Sequence, residues 1–308
     1  MRTLGDPAEL GRPAGGTCIA LGMFDGVHLG HQHVVRQAVL DSRALGARAV
    51  VVTFHPHPLS VVFPERAPRL LQSLPQRLRA LAVLGVDATL PIGFTQELAA
   101  VDGSTFIRNL AASLGRIRSI TVGQGFHFGN KRSGNVPLLR TLGRELGFAT
   151  HAAAPIHVGA ERVSSTRIRT ALREGRLGHV AELLGRPYAL AGTVIVGRQL
   201  GRQLGFPTAN LDVPELELPP TGVYAARVRI GTRDHQAVLN LGHRPTVDAS
   251  AALPRLEVHL LDFTGDLYGQ ELEVEFVRHL RPERKFPSLD ALREQIARDT
   301  QAARDALD

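Results

Sequence analysis

His28 and His31 stand three residues apart, where an apolar run (CIALGMF) gives way to a helical pattern. Two imidazoles at that spacing can donate hydrogen bonds to one phosphate group, and a helix start adds unpaired N–H groups and positive potential. Gly22, Gly26 and Gly30, in the same GMFDGVHLGH segment as Phe24 and Asp25, would let the backbone approach a ligand closely. A strand-to-helix turn with incidental histidines would leave the same letters. A second polar group, VSSTRIR at residues 163–169, brings Ser165, Thr166, Arg167 and Arg169 to a helix start, where hydroxyls either cap the helix or bind phosphate. Zinc competes for the histidines, because His28, His31, His33, His55 and His57 crowd two adjacent connections. No carboxylate falls at a metalloprotease spacing, however, and Cys18 is the only cysteine.

The second half carries a different set. Gly197, Gly201 and Gly205 recur every fourth residue beyond a strand, as in a loop whose backbone could wrap phosphates, but no GK[ST] ending follows. Thr208 and Asn210 offer two hard oxygen donors on one side of an extended strand, a set that suits Mg²⁺. The bland alternative is a glycine-rich turn with a polar strand end. Glu257, in RLEVHLLDF, is the only acidic residue between Leu253 and Leu261 and alternates with apolar neighbours. It points to solvent, or it stands beside a phosphate and takes the proton from an attacking hydroxyl.

Positioning these groups takes two kinds of scaffold. In the first half CIALGMF, ARAVVVTF and IRSITVG read as buried strands separated by helical patterns, which implies a parallel sheet with helices on its faces. STRIRTALREG and GHVAELLG then read as two short helices ended by glycine. From about Leu184 the texture becomes short alternating segments with Gly, Pro and Asp turns, as in a small antiparallel barrel, with FTGDLYGQ as a hairpin connection. A closing helix follows, N-capped by Ser288, with Leu289, Leu292, Ile296, Ala303 and Leu307 along one face. The expected domains are 1–183 and 184–308.

Composition narrows the function classes. At 308 residues and 44% hydrophobic content there is material for two cores. No uncharged apolar run reaches membrane length, and MRTLGDPAELGRPAGG reads as a loose lead-in without a signal core. A single cysteine excludes an internal disulfide, so the expected compartment is the cytoplasm, with no membrane partner. Net charge is +7, and 34 of the 36 basic residues are arginine (36 minus Lys131 and Lys285). Arginine suits phosphates, in nucleic acid or in a small molecule. The absence of tryptophan, 5% aromatics and the lack of any stacking or groove-reading motif argue against nucleic acid.

GMFDGVHLGH, TFHPHP, VGQGFHFGNKRSG and VSSTRIR, in that order across residues 17–183, resemble the nucleotidylyl transferase superfamily. The closer resemblance is to the adenylyltransferase module of bacterial bifunctional riboflavin kinase/FAD synthetases. GRPYALAGTVIVG, FPTANL, GVYAARV, NLGHRPTV, LEVHLLDFTGDLYG and LRPERKFPSLDALREQIARD resemble riboflavin kinase from residue 185 to about 300. The resemblance implies a Rossmann-like domain followed by a β-barrel kinase domain with a C-terminal helix. It implies ATP-dependent phosphorylation of riboflavin to FMN, then transfer of AMP to FMN to give FAD and pyrophosphate, with Mg²⁺. His28 and His31 would act on the ATP phosphates, with Gly22, Phe24, Asp25, Ser165, Thr166 and Arg169 around the nucleotide and His57, Gly125 and Phe126 on the flavin substrate. Gly197, Gly201 and Gly205 would bind the second nucleotide, Thr208 and Asn210 the metal, and Glu257 would be the kinase base. Two departures stand out. Gly125 replaces the family's Asn or Asp in VGxNFxFG, which raises the alternative of a kinase with an impaired transferase. Val247 replaces a frequent Phe.

Overall fold

A computed structural model describes residues 1–197, 200–243 and 254–308. Packing divides it into two compact units, Met1–Ser165 and Thr166–Asp308. The elements of the first are β1 (Arg2–Thr3), β2 (Thr17–Leu21), α1 (Leu29–Ala44), β3 (Arg48–His55), α2 (Pro58–Val62), α3 (Leu74–Ala82), β4 (Ala88–Gly93), α4 (Gln96–Ala100), α5 (Gly103–Leu114), β5 (Ile117–Gly123), α6 (Val136–Leu146), β6 (Ala149–Ala153), β7 (His157–Val158) and β8 (Glu161–Arg162). Helix α7 (Ser165–Arg173) carries the chain across the division.

Six strands form one sheet in the order β1-β4-β3-β2-β5-β6, and every pairing is parallel. Alternation along the central strands fills both faces. Ile19, Leu21, Val50 and Val52 pack into one core, whereas Ala20, Ala49 and Val51 pack into the other beneath Val34, Val35, Ala38 and Val39 of α1. The chain leaves β2 toward β3 and β4 on one side, then returns to lay β5 and β6 on the other. The carboxyl ends of β2 and β5 therefore flank the point where strand order reverses, the place where open α/β sheets bind ligands. The expected loose lead-in is instead ordered. Arg2–Thr3 extends the sheet alongside β4, because Leu4 is a core residue with no exposed surface, and Asp6 with Glu9 forms a capping box on the next turn.

The second unit continues with α8 (Leu177–Leu184), β9 (Ala189–Ile195), α9 (Leu200–Gln203), β10 (Ala209–Asp212), β11 (Gly222–Ile230), β12 (Arg233–His243), β13 (Pro254–Leu260), β14 (Glu271–Arg281) and α10 (Leu289–Leu307). The strands close an antiparallel barrel in the order β10-β13-β12-β11-β14-β9. On β11, Val223 and Ala225 pack with Val238 against Ala303 and Leu307 of α10, so this helix covers part of the barrel's outer face. Tyr224, fully buried between them in sequence, stacks edge-on against Phe276 of β14 at 5.2 Å. Ser288 caps α10 as its sequence suggests, accepting from the Ala291 N–H at 3.1 Å. Leu289 lies outside the packed face and is largely exposed. The Val247 departure lies outside the described residues.

Candidate active sites

The loop after β2 is held against its own preference. Phe24 (φ 52°) and Val27 (φ 40°) occupy the left-handed region, which costs side-chain-bearing residues about 1–3 kcal/mol each, yet both are fully packed. The Met23 carbonyl accepts from Arg77 Nη1 at 2.8 Å and from Thr53 Oγ1 at 2.9 Å, while Arg77 Nη2 reaches the Phe54 carbonyl at 3.2 Å. Both carboxylate oxygens of buried Asp25 accept from the Leu71 N–H, at 3.0 and 3.1 Å. Ser165, at the start of α7, donates to the Asp25 carbonyl at 2.9 Å. These hydrogen bonds tie the loop to β3, α3 and the start of α7.

His28 caps α1. Its Nδ1 accepts from the His31 N–H at 3.2 Å, so a neutral His28 ring carries its proton on Nε2. The two rings stack at 3.5 Å, and Phe24 meets His31 edge-on at 5.4 Å. Burial, then the neighbouring His28, Arg77 and Arg162, hold the His31 pKa well below the ordinary imidazole range. His31 is therefore suited to donate as a neutral imidazole, with the His28 ring stacked beside it. Gly30 makes room for this, since a Cβ there would sit 3.1 Å from His28 Cε1. The stacked pair does not converge on a metal, and among the described residues no three His, Cys, Asp or Glu side chains gather as ligands. Gly22, Phe24, Asp25, His28, His31 and Ser165 thus assemble around one loop, with Phe24 and Asp25 engaged in holding it. On α7, Thr166 is exposed and Arg169 buried.

Beside this loop a cavity of about 420 Å³ is walled by Phe54, Phe94, Phe106, Phe126 and Phe128, with His57, Lys131 and Arg132 among its polar residues. His57 caps α2 through its Nδ1 at 3.1 Å. The aromatic walls suit an aromatic ligand, and the two cations suit an attached anion. His57 and Phe126 share this cavity; Gly125 is exposed just after β5 and does not line it. A Cβ at Gly125 would meet only Arg162 Nη1, at 3.6 Å, so neither space nor backbone demands glycine there.

In the barrel, register builds a polar row. Asn210 of β10 pairs with Glu257 of β13, which pairs with Asn240 of β12, so three polar side chains share one face. All three, with Thr208 and Gly201, line a cavity of about 340 Å³ that Leu292 and Ile296 of α10 close from outside. Thr208 also lines a second cavity of about 600 Å³, with Val194, Val258, Leu260 and Tyr268. Thr208 therefore stands between two cavities, each large enough for a ligand. The glycines serve this arrangement: a Cβ at Gly197 would lie 2.1 Å from Asn210 Nδ2, and one at Gly201 would lie 2.4 Å from the Phe206 carbonyl. Gly205 supplies a left-handed turn (φ 88°) and lines neither cavity.

A model described as FAD synthetase matches residues 12–167, and one described as riboflavin kinase matches residues 184–307. The bifunctional riboflavin kinase/FMN adenylyltransferase of Escherichia coli (strain K12) is 39% identical over 294 residues, 95% of this chain and 93% of that one. The protein of the same name from Pseudomonas fluorescens is 41% identical over 295 residues, with 95% and 94% covered. This chain belongs to the bifunctional riboflavin kinase/FMN adenylyltransferase family. A crystal structure described as a macrolide-efflux protein of Streptococcus pneumoniae matches with a TM-score of 0.84 at 27% identity over 98% of both chains. That description is of that protein; among the described residues here no helix is long and apolar enough to cross a membrane.

Sequence reasoning passed over two arginines that shape these candidate sites. Arg77, fully buried, braces the loop through backbone carbonyls, and its signal was an arginine one turn before Leu81 on the buried face of α3. Arg255 pairs with Glu257 and donates to Asn210 Oδ1 at 3.4 Å. Its signal was the two-residue spacing that sets both on one face of β13. The arginine surplus hid them both.

Proposed function

We propose that this chain phosphorylates riboflavin to FMN on the barrel and adenylylates FMN to FAD at the switch point of the parallel sheet, using one ATP for each step. The observation that carries the reading is the shared face of Asn210 and Glu257 beside Thr208, where two cavities meet. In the kinase step the riboflavin 5′-hydroxyl forms a bond to the γ-phosphorus of ATP, the bond to the ADP oxygen breaks, and Glu257 accepts the hydroxyl proton. Mg²⁺ fits the donor set of Thr208 and Asn210, whose Oδ1 already accepts from a cation, the Arg255 guanidinium. When bound there, Mg²⁺ would neutralise phosphate charge. Thr208 and Asn210 would hold it at the junction of the two cavities.

In the transferase step a phosphate oxygen of FMN attacks the α-phosphorus of ATP and pyrophosphate leaves. No covalent intermediate is needed. His28 and His31 donate to the oxygens where charge develops, from a loop already braced by Arg77, Asp25 and Ser165. The isoalloxazine ring would lie among the phenylalanines of the cavity beside the loop, Phe126 included, with His57 next to it. We take residues 1–183 and 184–308 as the functional domains and the cytoplasm as the compartment. Incubation with riboflavin, ATP and Mg²⁺, followed by chromatographic separation of the flavins, should show FMN rising first and FAD after it. FMN without FAD would leave a kinase alone, the outcome that Gly125 raises; neither product would defeat the reading.

A further inference from the structure

Arg255 lies two residues before Glu257 on β13, so both side chains leave the same face of the barrel. One of its nitrogens, Nη2, meets two partners. It forms an ion pair with Glu257 Oε1 and also donates to Asn210 Oδ1 at 3.4 Å. Both partners belong to the polar row, and all three residues line the cavity beneath α10. The pair is sheltered: side-chain exposure is 28% for Arg255 and 24% for Glu257. A single positive nitrogen thus sits between the carboxylate and the amide oxygen that the kinase reading assigns to proton removal and to the metal.

A guanidinium and a divalent cation cannot both occupy that place, since like charges at contact distance repel strongly in a sheltered cavity. We infer that Arg255 is a positioning residue of the kinase site, whose guanidinium holds the cation's place between Asn210 and Glu257 until metal and nucleotide arrive. Its departure does two things together. It releases Asn210 Oδ1 to the metal and frees Glu257 Oε1 from its ion pair. The base is thereby kept engaged while the phosphoryl donor is absent. This inference rests on the assignment of Asn210 and Glu257 to the kinase.

The test counts Mn²⁺ bound to the full chain in the presence of ADP by electron paramagnetic resonance. Asn210→Ala identifies the portion of binding that belongs to the barrel site. For that portion, Arg255→Gln should lower the half-saturating Mn²⁺ concentration by roughly 3- to 10-fold, the value of releasing a sheltered ion pair. Arg255→Lys keeps a charge without the fork and should fall nearer the parent chain. Unchanged or weaker Mn²⁺ binding in Arg255→Gln, with Asn210→Ala still deficient, overturns the inference and leaves the kinase assignment standing. Wild-type Mn²⁺ binding in Asn210→Ala overturns the metal assignment and the inference with it. Thermal melting reports whether the barrel of each variant is folded.

Discussion

Glu257 and His31 are the residues whose roles separate most cleanly in experiment. Glu257→Gln keeps the size of the side chain and removes the proton acceptor, so turnover from riboflavin to FMN should fall about 10²- to 10⁴-fold. FAD formation from supplied FMN should continue, because that chemistry uses the other unit; near-normal FMN production would make Glu257 a mere strand residue. His31→Asn should cost adenylyl transfer roughly 10²- to 10³-fold while riboflavin phosphorylation persists. His31 also ties stability to pH. Burial depresses its folded pKa, so as pH falls the unfolded chain takes up the proton first. The contribution is whole above about 6.5, the ordinary imidazole value, and shrinks between there and the lowered folded value. Urea denaturation across that window should show stability declining toward acid in the parent chain and less so in His31→Asn. An equal decline in both would place the acid sensitivity elsewhere. Gly22, Thr208, Asn210 and Glu257 stood out as candidates because each sits at a strand end or on a strand face, and His28 and His31 because they open α1. The stacking of the two imidazoles was not legible, because it depends on a cap that only the folded helix reveals.

Helix α10 shows how an element can serve a site it does not catalyse in. Asp299 accepts from Arg281 Nε at 2.9 and 3.1 Å, from Arg281 Nη2 at 2.7 Å and from Gln295 Nε2 at 2.7 Å, nearly sealed from water. This pair anchors α10 to β14, and α10 in turn presents Leu292 and Ile296 to the cavity beneath it. Asp299→Ala would leave the Arg281 charge uncompensated and should destabilise the barrel unit by about 3–5 kcal/mol in denaturant titrations, with weaker riboflavin binding. Stability within about 0.5 kcal/mol of the parent chain would show the pair is dispensable, as exposed ion pairs usually are. The helix and its Ser288 cap were readable from periodicity. Its anchor was not, because Asp299 looks like one more surface charge until Arg281 is placed opposite it. β4 and β6 also escaped notice, since ATLPIG and ATHAA are too short and too mixed in polarity to stand out.

For the molecule as a whole, the change in texture near Leu184 located the start of the barrel, while packing assigns α7 from Thr166 and all of α8 to the second unit. Leu177, Val180, Leu183 and Leu184 are buried, and Arg173 reaches Glu217 at 3.8 Å. Composition could not show this, because two amphipathic helices look the same whichever core they cover. A fragment of residues 166–308 should therefore melt at least about 5 °C above one of residues 184–308, each buried aliphatic side chain being worth about 1.5–3 kcal/mol. Equal melting temperatures would show that α7 and α8 add nothing to the barrel's stability, and a folded but inactive longer fragment would show that the kinase needs the first unit. The polar row from Asn210 through Glu257 to Asn240 carries a consequence for how relatives can differ in length. Adding or deleting one residue within β10, β12 or β13 would turn a member of the row to the opposite surface. Gains and losses of chain among relatives should therefore collect in the connections, and the spacing from FPTAN to the end of its own strand should stay constant even where the loops around it have drifted.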